Sequence, residues 1–294
     1  MNNPIIFIGS GRNGSTIIFE AISRHPKLGW LSNYNYLIKA FPQVGVAHRI
    51  FKQYGEKSQG QKLSIINNIY PRPLEVYTVW ENLCGTKFRK SSLHNVIATK
   101  NEIENTTSYF ERLISAQGKK RLAIKVTGPP RAHYLQSIFT DAIFINIVRH
   151  PVAVVNSYIN VDFWNKKGIS KPHWSDFFTD EDFLTWEKHE RSKISLAALE
   201  WKRIFRLTQI ELERKKYLQI KYEDFLSDPH ESIKEILHYS NLDFPEKLSR
   251  YIDNKKYENK NYKVNNLNTE QIDAIQEICA EEIVDLGYSF ISSK

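Results

Sequence analysis

Ile5–Ile18, IIFIGSGRNGSTII, places an apolar strand, a glycine-rich turn and a helix start within fourteen residues. Ile5–Gly9 is rich in β-branched residues, as a strand buried on both faces should be. The spacing Gly9-x4-Gly14-x-Thr16 is that of a phosphate-binding loop, whose backbone N–H groups and helix N-terminus cradle an anion. In nucleoside-triphosphate enzymes a Lys follows the second Gly and reaches the β- and γ-phosphates, while a Ser/Thr hydroxyl holds magnesium. Ser15 stands where that Lys belongs, and the nearby fixed cation is Arg12, inside the loop. The loop therefore predicts a nucleotide phosphate held without the usual γ-phosphate and metal handling.

Other segments extend this start into a fold. Leu122–Val126, Ile143–Val148 and Leu218–Lys221 read as further buried parallel strands, with a short fifth candidate at Leu28–Ser32. Helices are expected at Thr16–Ser23, Thr107–Gln117, Arg131–Phe139, Pro151–Ile159, Glu181–Lys215, Pro229–Ser240 and Thr269–Gly287, the last with Thr269 as N-cap and Gly287 past its end. The expectation is an α/β fold in one domain over residues 1–294, with a central parallel sheet of about four to five strands flanked by helices, as in phosphate-loop NTPases. In such sheets the ligand sits at the carboxyl ends of the strands. Residues 33–105 interrupt the alternation and are rich in aromatics, which predicts a mostly helical insertion over the acceptor site, or else a second hydrophobic layer. The stretch Asp162–Asp180, with Trp164 and Trp174, reads as a loop able to close over ligand.

Composition narrows the partners. Lys+Arg of 41 against Asp+Glu of 33 gives a net charge of +8, which favours an anionic ligand. The basic residues are dispersed, so a nucleic-acid groove is not expected. Cys84 and Cys279 stand far apart and in no metal or redox spacing, which predicts buried free thiols of a reducing cytosol. No apolar run approaches the ~18–20 residues that span a bilayer, and MNNP carries no basic leader region, so a cytoplasmic protein without a transmembrane segment is expected. No His/Cys/Asp/Glu set has metal-ligand spacing, so no metal is expected.

A second constellation is Asn146-Ile147-Val148-Arg149-His150-Pro151, followed by Ser157-Tyr158. A strand ends at Arg149, Pro151 suits the first turn of a helix, and Ser157 lies within that helix. Arg supplies a bidentate fork and Ser an oriented hydroxyl, so the pair can grip one phosphate from two sides. Two separate grips imply a nucleotide phosphorylated at two places.

Together these motifs carry a resemblance. Gly9–Thr16 resembles the 5′-phosphosulfate loop of sulfotransferases that use 3′-phosphoadenosine 5′-phosphosulfate (PAPS), and RHPxxxxxSY resembles their 3′-phosphate motif. SRHPKLGWLSNY (23–34), KVTGPPR (125–131), KYEDFLSDP (221–229) and EEIVDLGY (281–288) are similar to segments of bacterial members, so the likeness runs the length of the chain. The resemblance implies sulfuryl transfer from PAPS to a hydroxyl or amine of a small-molecule or glycan acceptor, releasing PAP, without a metal. It assigns Gly11, Arg12, Asn13, Gly14, Ser15 and Thr16 to the 5′-phosphate, and Arg149 and Ser157 to the 3′-phosphate. Lys125 matches a lysine near the bridging oxygen and joins Ser157 in the catalytic group. Cytosolic members place their base, a His, where this chain has Thr127, and other members use a Glu where WLSNYNY has no carboxylate. The first choice of base is Glu75, in E-x-Y-x-x-W, with His133 in reserve; His25 reads as a cap. Lys263, in KNYKVNN (260–266), is a further 3′-phosphate candidate, Trp201 and Tyr222 are candidates to stack adenine, and Tyr222-Glu223-Asp224 reads as structural. Two other readings stay open: a phosphate-loop kinase or NTPase with Asp224 as its weak magnesium ligand, and a non-catalytic PAPS- or PAP-binding module.

Overall fold

The computed structural model describes residues 2–51, 70–165, 171–257 and 266–292. Among these, five strands form one parallel sheet: β1 (Ile5–Ile8), β2 (Leu28–Gly29), β3 (Arg121–Lys125), β4 (Ile143–Val148) and β5 (Tyr217–Lys221), in the order β2-β3-β1-β4-β5. After β1 the chain runs to the far edge, returns through β3, then crosses to the other side of β1. The order reverses at β1, and that switch point opens the ligand crevice at the strands' carboxyl ends. Phe7 pairs with Lys125 and Ile8 with Asn146, so Gly9, Lys125 and Arg149 emerge at one edge of the sheet.

The period-2 alternation of β1 divides the core. Ile6 and Ile8 join Trp80, Phe88, Phe110 and Tyr134 on one face. Ile5 and Phe7 join Phe19, Ile145, Phe225 and Ile233 on the other. A third cluster, with Val152, Trp201, Ile275 and Cys279, packs the helix Lys193–Leu212 against the C-terminal helices. Cys84 and Cys279 are buried and unpaired, as expected. No helix among the described residues is long and apolar enough to cross a membrane.

Boundaries differ from expectation where a cap went unread. The helix expected from Thr107 begins at Lys100, because Thr99 accepts from the Glu102 N–H while Glu102 reaches back to the Thr99 N–H at 2.8 Å. The single helix expected over Glu181–Lys215 is two, Asp180–Lys188 and Lys193–Leu212. Glu190 and Arg191 turn left-handed between them, and Ser192 caps the second by accepting from the Ser195 N–H at 3.1 Å. The C-terminal stretch is likewise split at Cys279, and its N-cap is Asn268 rather than Thr269. Gly287 does sit just past the end, at φ +62°, with its N–H on the Val284 carbonyl.

Within residues 33–105 the described parts include the short helices Asn33–Leu37, Tyr77–Cys84 and Lys87–Lys90, joined by non-helical segments. The later part is core: Trp80 is fully buried and stacks on Phe88 at 4.6 Å. Among the described residues the Trp80 indole N–H has no acceptor, so its contribution there is packing alone. Trp80→Ala is therefore expected to cost about 3–5 kcal/mol in urea unfolding, and Trp80→Phe clearly less because the orphan donor is removed with the ring.

Candidate active site

Two of the three glycines in the Gly9–Thr16 loop are dictated by what surrounds them. Gly9 has φ +140°, and a Cβ there would lie 2.1 Å from Asn13 Nδ2 and 2.4 Å from the Ile147 carbonyl oxygen. Gly14 has φ +86°, and its Cβ would meet the Tyr222 ring at 2.1 Å. Asn13 is fully buried; its Nδ2 donates to the Ile147 carbonyl at 2.6 Å, and its Oδ1 accepts from the Ser15 N–H at 3.2 Å. Asn13 therefore offers a ligand only its backbone, and the Ser15 amide is already engaged. The N–H groups of Gly11, Arg12, Asn13, Gly14 and Thr16 meet no acceptor among the described residues, which fits them to an anion at the helix start.

Arg12 turns left-handed at φ +53° and links the Gly9–Thr16 loop to Ser157 and Arg149. Its Nε donates to Ser157 Oγ at 2.9 Å, and its carbonyl accepts from Arg149 Nη1 at 3.1 Å. Arg149 is only 7% exposed and its guanidinium lies 4.7 Å over the Tyr222 ring. Burial pulls its pKa below the usual arginine value, opposed by Tyr222 and Glu223, and the group stays cationic. The turn behind it is strapped from the distant chain end. His150 caps the helix Pro151–Tyr158 by accepting from the Val152 N–H at 3.3 Å, with Pro151 in the first turn as expected. The His150 N–H donates to Glu223 at 3.2 Å, and Glu223 also accepts from the Tyr288 hydroxyl at 2.7 Å. That gives Glu223 the structural part expected for it.

On the other flank, Lys125 is 8% exposed and its Nζ donates to Thr16 Oγ1 at 2.7 Å. The same ammonium lies 3.5 Å from Glu75 Oε1. That oxygen accepts from the Thr127 N–H at 3.1 Å and from the Thr127 hydroxyl at 2.5 Å. Tyr77 donates its hydroxyl to the Thr127 carbonyl, and Tyr158 donates its own to the Ser10 carbonyl. Burial raises the pKa of both phenols, so they remain donors.

The structure thus brings Arg12, Thr16, Lys125, Glu75, Arg149 and Ser157 to one crevice. His133 is not among them. Its backbone N–H donates to Glu211, and it lines a cavity with Asn3, Asp141 and Lys216, residues that precede β1, β4 and β5 at the opposite edge of the sheet. His25 is buried, with Nδ1 accepting from the Lys27 N–H at 3.2 Å and Nε2 donating to the Asp243 carbonyl at 3.1 Å. Burial lowers its pKa, as suits a structural histidine. Trp201 is core, stacked on Phe205, whereas Tyr222 lies at the loop between Gly14 and Arg149. Lys263 lies outside the described residues. In the stretch expected to close over ligand, two described residues are held by Glu200, which accepts from the Trp164 indole at 3.0 Å and the His173 N–H at 2.6 Å; residues 166–170 lie outside the described residues. Sequence reading missed Thr127 and Tyr158 as partners, although both lie inside quoted motifs.

Residues 4–246 match the sequence model of the Sulfotransferase family. Among curated proteins, nothing matches. Sulfotransferase STF9 from Mycobacterium avium is similar in structure, with 14% identity, a TM-score of 0.60, and coverage of 98% of this chain and 78% of that one. Sulfotransferase STF1 from Mycobacterium tuberculosis is similar at 14% identity and a TM-score of 0.50, over 96% of this chain and 77% of that one. At such identities these neighbours speak for the fold, and the family match, spanning most of the sequence, speaks for the chemistry. With its loop lacking the usual lysine and Arg12 of that loop on Ser157, the chain belongs to the sulfotransferase family and is a sulfuryl-transfer enzyme.

Proposed function

We propose that this enzyme takes the sulfuryl group from PAPS, passes it to a hydroxyl or amine of a small-molecule or glycan acceptor, and releases PAP. The observation that carries the reading is the joined pair of grips, Arg12 on Ser157 and Arg149 on the Arg12 carbonyl, beside the Thr16–Lys125–Glu75 line. The amides of Arg12, Asn13, Gly14 and Thr16 with the Thr16 hydroxyl suit the 5′-phosphate, and Arg149 with Ser157 suits the 3′-phosphate. PAPS supplies a sulfuryl group on a phosphate leaving group, so the protein's work is positioning, charge stabilisation and proton removal.

Lys125 neutralises charge on the departing phosphate oxygen, which keeps the electron pair of the breaking sulfur–oxygen bond. Glu75 takes the proton of the acceptor as its oxygen or nitrogen bonds to sulfur. The 33–105 segment, which delivers Glu75, supplies the acceptor side. The unpaired thiols fit a reducing cytosol.

PAP at a hundred times its Kd is expected to stabilise the protein by about 2.7 kcal/mol in thermal melts, while ATP with magnesium does not. The reverse pattern would sink the donor assignment. Arg149→Ala is expected to weaken PAP far more than adenosine 5′-phosphosulfate, which lacks the 3′-phosphate; equal losses in calorimetry would remove Arg149 from that role. A screen of acceptors with labelled PAPS supplies the substrate for the third test. There Glu75→Gln should lose about 10²–10⁴-fold in kcat with PAP affinity unchanged, and retained turnover would move the base elsewhere.

A further inference from the structure

The residue that stands where cytosolic relatives carry their histidine makes a contact with a role of its own. The two Glu75 oxygens are unequally occupied. Oε1 receives the Thr127 N–H at 3.1 Å, the Thr127 hydroxyl at 2.5 Å and the Lys125 ammonium at 3.5 Å. Oε2 takes no hydrogen bond among the described residues, and the Glu75 side chain is 23% exposed. Two residues on, Tyr77 donates to the Thr127 carbonyl, so residues 75 and 77 close on both backbone groups and the side chain of one threonine. Between them Val76 is buried in a left-handed conformation, φ +43° and ψ +63°. A β-branched residue avoids that region at a cost of about 1–3 kcal/mol, and it persists where surrounding contacts over-determine it.

We propose that Thr127 is the positioning residue of the acceptor-side base, fixing Glu75 by Oε1 through its amide and hydroxyl so that Oε2 is the proton-taking oxygen. The inference rests on the reading of Glu75 as base. A carboxylate held at one oxygen leaves the other to face an acceptor, so orientation is set before substrate arrives. The other charged or titratable groups facing Glu75 are Lys125, Arg131 and Tyr77.

The test follows Glu75 directly. Protein labelled with carboxyl-13C glutamate is titrated by NMR with PAP bound, the Glu75 resonance being assigned by its loss in Glu75→Gln. Thr127→Val removes only the hydroxyl donor and should raise the proton affinity of Glu75 about tenfold, since a donor to the charged form is lost. Thr127→Ser should leave the midpoint within about twofold, because it keeps the hydroxyl. An unmoved midpoint in Thr127→Val, or an equal shift in Thr127→Ser, overturns the proposal. Should Thr127→Val fail to fold, Thr127→Ala carries the same expectation. Because the titration reads placement and not turnover, its failure is separate from that of the base assignment, which Glu75→Gln kinetics decide.

Discussion

One buried hydrogen bond organises the catalytic edge: Asn13 Nδ2 to the carbonyl of Ile147. It fastens the loop that follows β1 to the last turn of β4, across the switch point of the sheet. An unpaired amide at a fully buried position would be costly, so the contact holds the loop in one conformation. Gly9 must lack a side chain for Asn13 to reach its acceptor, and Gly14 must lack one for Tyr222 to close beneath the loop. With the loop fixed, Arg12 is carried to Ser157 and its carbonyl to Arg149. The two anion grips, far apart in sequence, become one surface.

The opposite flank is built differently. Lys125 ends a strand whose register against β1 is set by buried neighbours, so its position needs no help from loops. Glu75 comes from a segment with no place in the strand–helix alternation, and a bent backbone delivers it. Rigid sheet supplies the cation and a contorted connection supplies the carboxylate.

The sheet was legible in the sequence because runs such as Ile143–Val148 are apolar on both faces, a pattern with few other readings. Glycine spacing and an Arg at a strand end are local signals, and the structure does bring Arg12, Arg149 and Ser157 together. Errors arose where geometry depends on contacts across the fold. Ser192 looks like any helical serine until its capping bond is seen, and Thr99 hid a capping box in a polar stretch. His133 follows a Gly-Pro-Pro turn whose direction no spacing records, and it lies at the other edge. Thr127 is a plain strand-end threonine in sequence; only the fold puts Glu75 against it.

The strap of Tyr288 on Glu223, and of Glu223 on the His150 amide, has a temporal consequence. A ribosome releases residues in order, and Arg149 is synthesised long before Tyr288. A nascent chain that already holds Arg12, Arg149 and Ser157 still lacks the brace behind the turn that presents Arg149. The placement of Arg149 is thereby coupled to completion of the C-terminal helices, so under the proposed donor reading a chain stalled or clipped before residue 288 binds PAP more weakly.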